Sequence, residues 1–582
     1  MGPDVGTTGD SSAAFASAAI SASASNVRLV ADARIDNLDD LRRSLDGASD
    51  EAIGHTLIRA YLAWGPSFAD RLLGDFAIVL WDGNRRTLVA ARDPFGVRPL
   101  FHASRDGRLW LASRVAPLLG TLPAQASLEA ALDDEAVLQY VLWRYRMPST
   151  SFYRNIREVP AGHVLVETSD ARRVERYWRP PEPRGELERA GREEIFEELR
   201  ALFRRAVERR LRSPAPVVVH VSGGLDSSAI AMAANELALA GRTPNVIGAS
   251  AVFPGLECDE SAWIDAVANS VSFPIERWDG TRSDSIDLVD PLREGPGARI
   301  ASTSGTSGDL EIAARHGATT ILSGLGGDDL MTVSGITRDF VTNRQWRAAW
   351  ESVSAAGFSS QAAHRRLRTI AAQFLPARLL SLRARATATV PDWLAPGFRG
   401  VARDILASRM GEGDPPLSSL VRTNMWARVN AAHAKVGVSL LQGVGMPLGI
   451  EFRFPYLDRE LVTFALSVPA HGLPGLVPTA RLHREAFRPM LPPAVAARVG
   501  KADLTPALRN RLRRAQPRIE ALCNDGRSWA SHRFVDPDAA RRLLRAGTSR
   551  PSSLKAADLW HVWRVATLET WTRSILLYGM RQ

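Results

Sequence analysis

Two glycine-rich segments carry the chemistry that the residues of this chain could perform. Ser222-Gly223-Gly224-Leu225-Asp226-Ser227-Ser228 stands between the apolar run 217–221 and a segment of helical length. Glycines let a backbone approach an anion closely, and the amides and dipole at a helix start favour phosphate there. Ser222, Ser227 and Ser228 add hydroxyl donors. The loop has no lysine, so it is not a Walker A loop. Asp226 sets a carboxylate beside the bound anion, an arrangement that makes electrostatic sense with a divalent cation between them. An ordinary Gly/Ser strand-to-helix turn is the competing reading of this segment alone. A second loop weighs against it: Leu322-Ser323-Gly324-Leu325-Gly326-Gly327-Asp328-Asp329 also follows an apolar run. Ligands of a doubly wound sheet bind beyond the carboxyl ends of its strands, so both loops would face one crevice, with Asp226 and Asp328 sharing Mg²⁺. Asp329 reads as a helix N-terminal charge.

The elements that must position these loops alternate. The segment 215–238 reads as a buried β run, a glycine turn and a helix; 245–254, 273–279 and 318–330 supply further β runs separated by helix-length stretches. That alternation predicts an α/β fold with a parallel, doubly wound sheet. An amphipathic helix over 192–212 precedes it, and from about 340 onward the pattern is mostly helical. The first ~175 residues read differently, as strands and tight turns with one or two helices: 27–37 has strand character, and 74–104 reads as three strands joined by an Asp-Gly-Asn turn and a second tight turn. WRPPEPRGELE (178–188) is the linker candidate, dividing the chain into domains at 1–180 and 190–582.

Composition removes other classes. A 582-residue chain that is 45% hydrophobic predicts at least two packed domains, which excludes disordered and collagen-like classes. Its two cysteines, Cys258 and Cys523, make neither a disulfide framework nor a four-thiolate zinc site and point to a reducing, cytoplasmic setting. No apolar run approaches the ~20 residues of a membrane span, and the Ala/Ser-rich start lacks a basic n-region. The net charge of +10 comes almost wholly from arginine; lysine occurs only at 435, 501 and 555. Acids and bases are interleaved, as in 192–213, the pattern of a solvated face and not of a nucleic-acid surface.

With these motifs in place the chain resembles a known family. SGGLDSS is similar to the pyrophosphate loop of the N-type ATP pyrophosphatases, and together with LSGLGGDD it resembles the asparagine synthetase superfamily. Asp259-Glu260-Ser261 and Glu451-Phe-Arg-Phe-Pro-Tyr-Leu-Asp458 fall where that family has counterparts. ADARIDN, LLGDFAIVLWD and ARDPFGVRPLFH resemble its glutaminase domain. The resemblance implies an N-terminal glutaminase-like (Ntn-type) α+β sandwich, then an adenine nucleotide α-hydrolase-like synthetase domain with a helical C-terminal region. It implies ATP and Mg²⁺ as cofactors and adenylation of a carboxylate, which an amine then attacks. The family's glutaminase works through an N-terminal cysteine; Gly2 follows Met1 here, so glutamine-derived ammonia is not expected.

Two relatives lacking that cysteine are the β-lactam-forming synthetases and the lasso peptide cyclases. The former carry a tyrosine, and asparagine synthetases a glutamate, where this chain has Leu325, which suggests an apolar pocket wall. Arg498-Val-Gly-Lys501-Ala-Asp-Leu-Thr-Pro506 is similar to a stretch that marks the lasso peptide cyclases. The resemblance implies a ligase forming an isopeptide macrolactam on a ribosomal precursor peptide, with a leader-recognition protein and a leader peptidase as partners. Neither nucleic acid nor membrane is implied. Lys501 would hold the α-phosphate, as a catalytic residue beside Asp226 and Asp328. His220, by its backbone, and Val252 would border adenine, with Ser323 and Gly324. Asp503 either pairs with a cation or caps the helix after it; Glu451 and Arg453 either line the substrate cavity or form a buried structural pair. Trp143, Tyr145, Trp426, Trp560, Trp563 and Trp571 either line a peptide groove or are core. The competing functions are a β-lactam or other small-molecule amide synthetase, ammonia-dependent asparagine synthetase, a tRNA-modifying enzyme and a non-catalytic scaffold.

Overall fold

The computed structural model describes residues 20–121, 131–144, 151–182, 187, 190–243, 245–282, 307–353, 371, 374–375, 377–408, 417–469, 482–498, 500 and 502–579. The chain separates into two compact units. One comprises Met1–Ala126 and Met147–Pro180; the other comprises Ser127–Arg146 and Pro181–Gln582.

The first unit is built on an antiparallel sheet of β1 (Ile20–Ala24), β2 (Val27–Ile35), β3 (Gly74–Asp82), β4 (Thr87–Arg92), β8 (His163–Glu167) and β9 (Arg172–Arg176), in that spatial order. A smaller sheet of order β6-β5-β7 joins β5 (Phe101–Arg105), β6 (Arg108–Ala112) and β7 (Ile156–Glu158). Period-two alternation explains why the large sheet is covered on both faces. Phe76, Ile78, Leu80, Val89, Ala91, Val164 and Val166 point to the helix Ile53–Trp64, where Leu57, Ile58 and Tyr61 meet them. Ala77, Ala90 and Leu165 point the other way, to Leu100, Val159, Leu109 and Leu111. The result is the expected α+β sandwich. Asp93 closes the tight turn after β4 by accepting the amides of Phe95, Val97 and Arg98 at 2.9–3.0 Å.

The second unit holds a wholly parallel sheet of β10 (Val217–His220), β11 (Val246–Val252), β12 (Ile275–Asp279), β13 (Thr320–Leu322) and β14 (Glu451–Arg453), ordered β12-β11-β10-β13-β14. Val217, Val218 and Val219 are fully buried, as expected of a parallel strand covered on both faces. The chain runs outward from β10 through β11 to β12, then returns to the far side of β10 for β13 and β14. β10 and β13 therefore flank the point where strand order reverses. In such sheets the connections there leave in opposite directions and open a crevice.

β14 departs from the sequence reading, which places 451–458 in the helical region. Three residues are too few for a periodic signal; pairing with β13 makes the strand. Among the described residues the remainder beyond 340 is mostly helical, as expected. Among the described residues no helix is long and apolar enough to cross a membrane.

Candidate functional site

Both glycine loops leave the sheet at this reversal point. The first follows β10 directly, and the helix Leu225–Leu239 starts at its end with Gly224 as N-cap. Gly223 has φ +70°, a backbone conformation open to glycine, and a Cβ there would sit 2.8 Å from Trp263 Cβ. Ser227 Oγ receives the Ser222 amide at 3.0 Å and shares a 3.0 Å hydrogen bond with the Ser222 hydroxyl, closing the loop on itself. Ser228 is fully buried, and its hydroxyl has no hydrogen-bond partner among the described residues. Leu225 is buried beneath the helix start. Ser250 on β11, which carries no motif, donates from Oγ to Val221 O at 2.6 Å and ties the loop to the sheet.

The second loop packs on the first. A Cβ on Gly324 would lie 3.2 Å from Asp226 Cβ and from the Ser227 amide nitrogen. One on Gly327 would lie 2.5 Å from Asp226 Cγ and 2.6 Å from its Oδ1. Asp226 thus fits against a surface that glycine alone leaves open. Asp328 follows Gly327 in the first turn of the helix Gly327–Met331, and Oδ1 atoms of both carboxylates are buried. Ser323 anchors the loop to β14: its amide donates to Arg453 O at 2.9 Å, and its hydroxyl accepts the Leu325 amide at 3.3 Å. Leu325 is half-buried, 3.5 Å from where a Cβ on Gly437 would stand, and walls the loop with the helix Ala432–Gly445. Asp329 lies against Arg428, whose guanidinium burial pushes below its usual range while Asp329 pulls it back.

Tyr456, fully buried, donates its hydroxyl to the Asp226 carbonyl at 3.2 Å; burial, with the Asp226 charge, pushes the phenol well above its usual range. His220 presents Nδ1 to Asp309 Oδ2 at 2.5 Å, and Asp309 Oδ1 accepts Trp278 Nε1 at 2.9 Å. Burial lowers the imidazole's proton affinity, but the Asp309 charge and hydrogen bond, with Glu260, outweigh it and raise the pKa. The imidazole is therefore held by a carboxylate. Nothing in sequence spacing links 220 to 309. Val252 ends β11 opposite Asp279, half-buried, at the carboxyl edge of the sheet.

Other expected residues fall into structural roles. Asp259 accepts the Phe253 amide and the Ser261 hydroxyl, closing the turn after β11. Arg453 pairs with Glu451 at 3.1 Å and donates to the carbonyls of Arg210 and Arg212 at 2.9 and 2.7 Å, so these two form a structural pair in which Arg453 is buried and Glu451 half-buried. Asp503 accepts the Thr505 amide and hydroxyl, which hold its carboxyl below the usual range; it caps the turn into the helix Thr505–Arg514. Trp426, Trp563 and Trp571 are core; Trp143 is 40% exposed and stacks on Trp560 at 6.0 Å. Lys501 and Tyr145 lie outside the described residues.

Among the described residues no group of three or more His, Cys, Asp or Glu side chains could hold an ion. Asp226 and Asp328, two carboxylates on adjoining glycine loops, are of a kind that fits Mg²⁺, which takes one or two carboxylates and completes its shell with phosphate oxygens and water.

A parallel sheet with two glycine loops at its strand reversal defines a doubly wound α/β protein. The chain belongs to the asparagine synthase family, whose model matches residues 198–573, and the glutamine amidotransferase domain matches 13–178. It is similar to asparagine synthetase [glutamine-hydrolyzing] 3 of Bacillus subtilis (33% identical over 214 residues, 36% of this chain and 34% of that protein). It is also similar to amidase chyE of Penicillium rubens (33% over 178 residues, 30% and 25%). A Mycobacterium bovis protein provisionally described as an asparagine synthetase [glutamine-hydrolyzing] is 26% identical over 573 residues, 90% of this chain and 82% of that one. The chain spans a quarter to a third of the length of the first curated relatives it matches.

Proposed function

We propose that this chain is an ATP-dependent, AMP-forming carbon–nitrogen ligase acting in the cytoplasm. The observation that carries the reading is the meeting of the two loops, with Asp226 seated on Gly324 and Gly327 beside Asp328. The amides and hydroxyls of 222–228 would bind the pyrophosphate portion of ATP, while His220 and Val252, with Ser323 and Gly324, border adenine. Mg²⁺ held by Asp226 and Asp328 would supply neutralisation of phosphate charge. The substrate carboxylate then attacks the α-phosphorus, the α–β bond breaks and pyrophosphate leaves. An amine next attacks the acyl carbon, loses a proton and displaces AMP. Lys501 would stabilise charge on the α-phosphate.

The finer reading is a lasso peptide cyclase, which joins an Asp or Glu side chain of a ribosomal precursor peptide to that peptide's N-terminal amine. The segment 498–506 and the apolar Leu325 support it, and holding amine and acyl group together would contribute up to roughly 7–11 kcal/mol. Its partners would be the precursor, a leader-recognition protein and a leader peptidase. A second reading, asparagine synthetase using free ammonia, is favoured by the 26% identity that extends over 90% of the chain. Incubation with Mg·ATP and either a precursor peptide or aspartate plus ammonium, with AMP followed, separates them. AMP formed only with the peptide supports cyclisation; AMP formed with aspartate and ammonium alone refutes it.

A further inference from the structure

Arg498 belongs to neither glycine loop, yet it is built against the first. Its Nη1 donates to the Gly223 carbonyl at 3.0 Å, across 275 residues of sequence. Its Nη2 pairs with Glu260, and the guanidinium lies 4.3 Å from the centroid of the Trp263 ring. Arg498 is only 7% exposed. Trp263 is also the residue that a Cβ on Gly223 would strike. Trp263 thus meets the Gly223 backbone through its Cβ and the Arg498 guanidinium through its ring, so glycine, tryptophan and arginine are packed as one cluster.

A trans peptide is planar, so the carbonyl of Gly223 and the amide of Gly224 point in opposite directions. Fixing the carbonyl on Arg498 fixes the amide facing away from it. We propose that Arg498 is a positioning residue of the phosphate loop, orienting the Gly223–Gly224 peptide so that the Gly224 amide meets the pyrophosphate portion of the nucleotide. The proposal rests on the nucleotide reading above. The buried Ser228 hydroxyl one turn along, without a hydrogen-bond partner among the described residues, independently points to a ligand at this loop end. Arginine suits the task because its planar fork serves a carbonyl and a carboxylate at once while stacking on an indole; a lysine ammonium cannot.

Calorimetric titration of the full chain with Mg·ATP, inorganic pyrophosphate and AMP tests this. Arg498→Lys and Arg498→Met should both weaken ATP and pyrophosphate roughly tenfold while AMP affinity stays within about twofold. Glu260→Gln, a milder change, should weaken pyrophosphate in the same direction. Wild-type affinity in Arg498→Lys would mean that only charge matters and overturns the proposal. So would a rise in pyrophosphate affinity in Glu260→Gln, which would show the carboxylate merely screening a binding charge. Equal losses for AMP and pyrophosphate would indicate general damage and overturn it as well. If the unaltered protein binds neither ATP nor pyrophosphate, the nucleotide reading itself fails, an outcome distinct from the others.

Discussion

Gly327→Ala is the sharpest perturbation of the contact between the two loops. The added Cβ would stand 2.5 Å from Asp226 Cγ, 2.6 Å from Oδ1 and 2.9 Å from Cβ. All three are closer than carbon atoms pack, so the whole aspartate side chain must move and not only its tip. Its backbone cannot follow freely, because Tyr456 holds the Asp226 carbonyl and Gly324 packs against Asp226 Cβ. Two stability effects oppose each other. Alanine favours the helix over glycine by up to about 1 kcal/mol, while overpacking costs about 1–3 kcal/mol. The net loss of about 0–3 kcal/mol lowers the melting temperature by only a few degrees in a unit of this size. Function responds more steeply, since displacing a reacting group by about 1 Å costs roughly 10²-fold in rate. The expected signature is therefore a roughly hundredfold fall in AMP release from Mg·ATP and acceptor, with a melting temperature close to wild type. Chromatographic AMP assay and scanning fluorimetry on the same preparations read both quantities. Undiminished AMP release would refute the argument that Asp226 works at the junction of the loops. Loss of AMP in step with unfolding would reduce Gly327 to a packing role.

Asp226→Ala should abolish AMP formation while circular dichroism and melting temperature stay near wild type; retained turnover would place the metal-binding carboxylate elsewhere. Asp458, whose carboxyl burial raises but whose neighbours Arg210 and Arg209 pull below its usual value, also caps the helix Arg459–Ser467. Asp458→Ala leaves a buried guanidinium without its carboxylate and should cost about 3–5 kcal/mol in denaturant unfolding. His220 has a folded pKa raised above 6.5, so its pair with Asp309 stabilises fully below pH 6.5 and loses that stabilisation as pH rises through the folded value. The melting-temperature difference between wild type and His220→Gln should shrink accordingly from neutral pH upward. His102 has the opposite sign: burial first, then the Arg172 and Arg157 charges, lower its pKa to about 4. The stability tied to it is complete above pH 6.5 and lost as pH falls towards 4, which NMR titration of the imidazole and acid unfolding of His102→Gln can check.

Much of this protein is legible in its sequence because it is local. A buried valine run, a glycine turn and a helical segment specify a strand, a loop and a helix from residues within 25 positions of one another, as at 215–238. Alternation along β3, β4 and β8 likewise encodes which side chains enter each face of the first sheet. The residue types in SGGLDSS and LSGLGGDD are, from sequence alone, of the kinds that suit anion and cation chemistry.

What tertiary structure alone decided depends on residues far apart in the chain. β14 exists because β13 offers an open edge to three residues more than 120 positions later, too short a run to reveal itself by periodicity. The pairing of Arg453 with Glu451 has two readings in the sequence; the fold sets Arg453 against the carbonyls of Arg210 and Arg212 as well. Asp309 acquires meaning only when the fold sets it against His220 and Trp278. Arg498, visible in the sequence as the first letter of a motif, comes to lie against the first glycine loop only through its contacts with Gly223, Glu260 and Trp263. The physical reason is common to all four. Propensity and pattern act over a few turns or strands, whereas the partners of a buried polar group are chosen by the packing of whole elements, since each such group must find its hydrogen bonds wherever the fold supplies them.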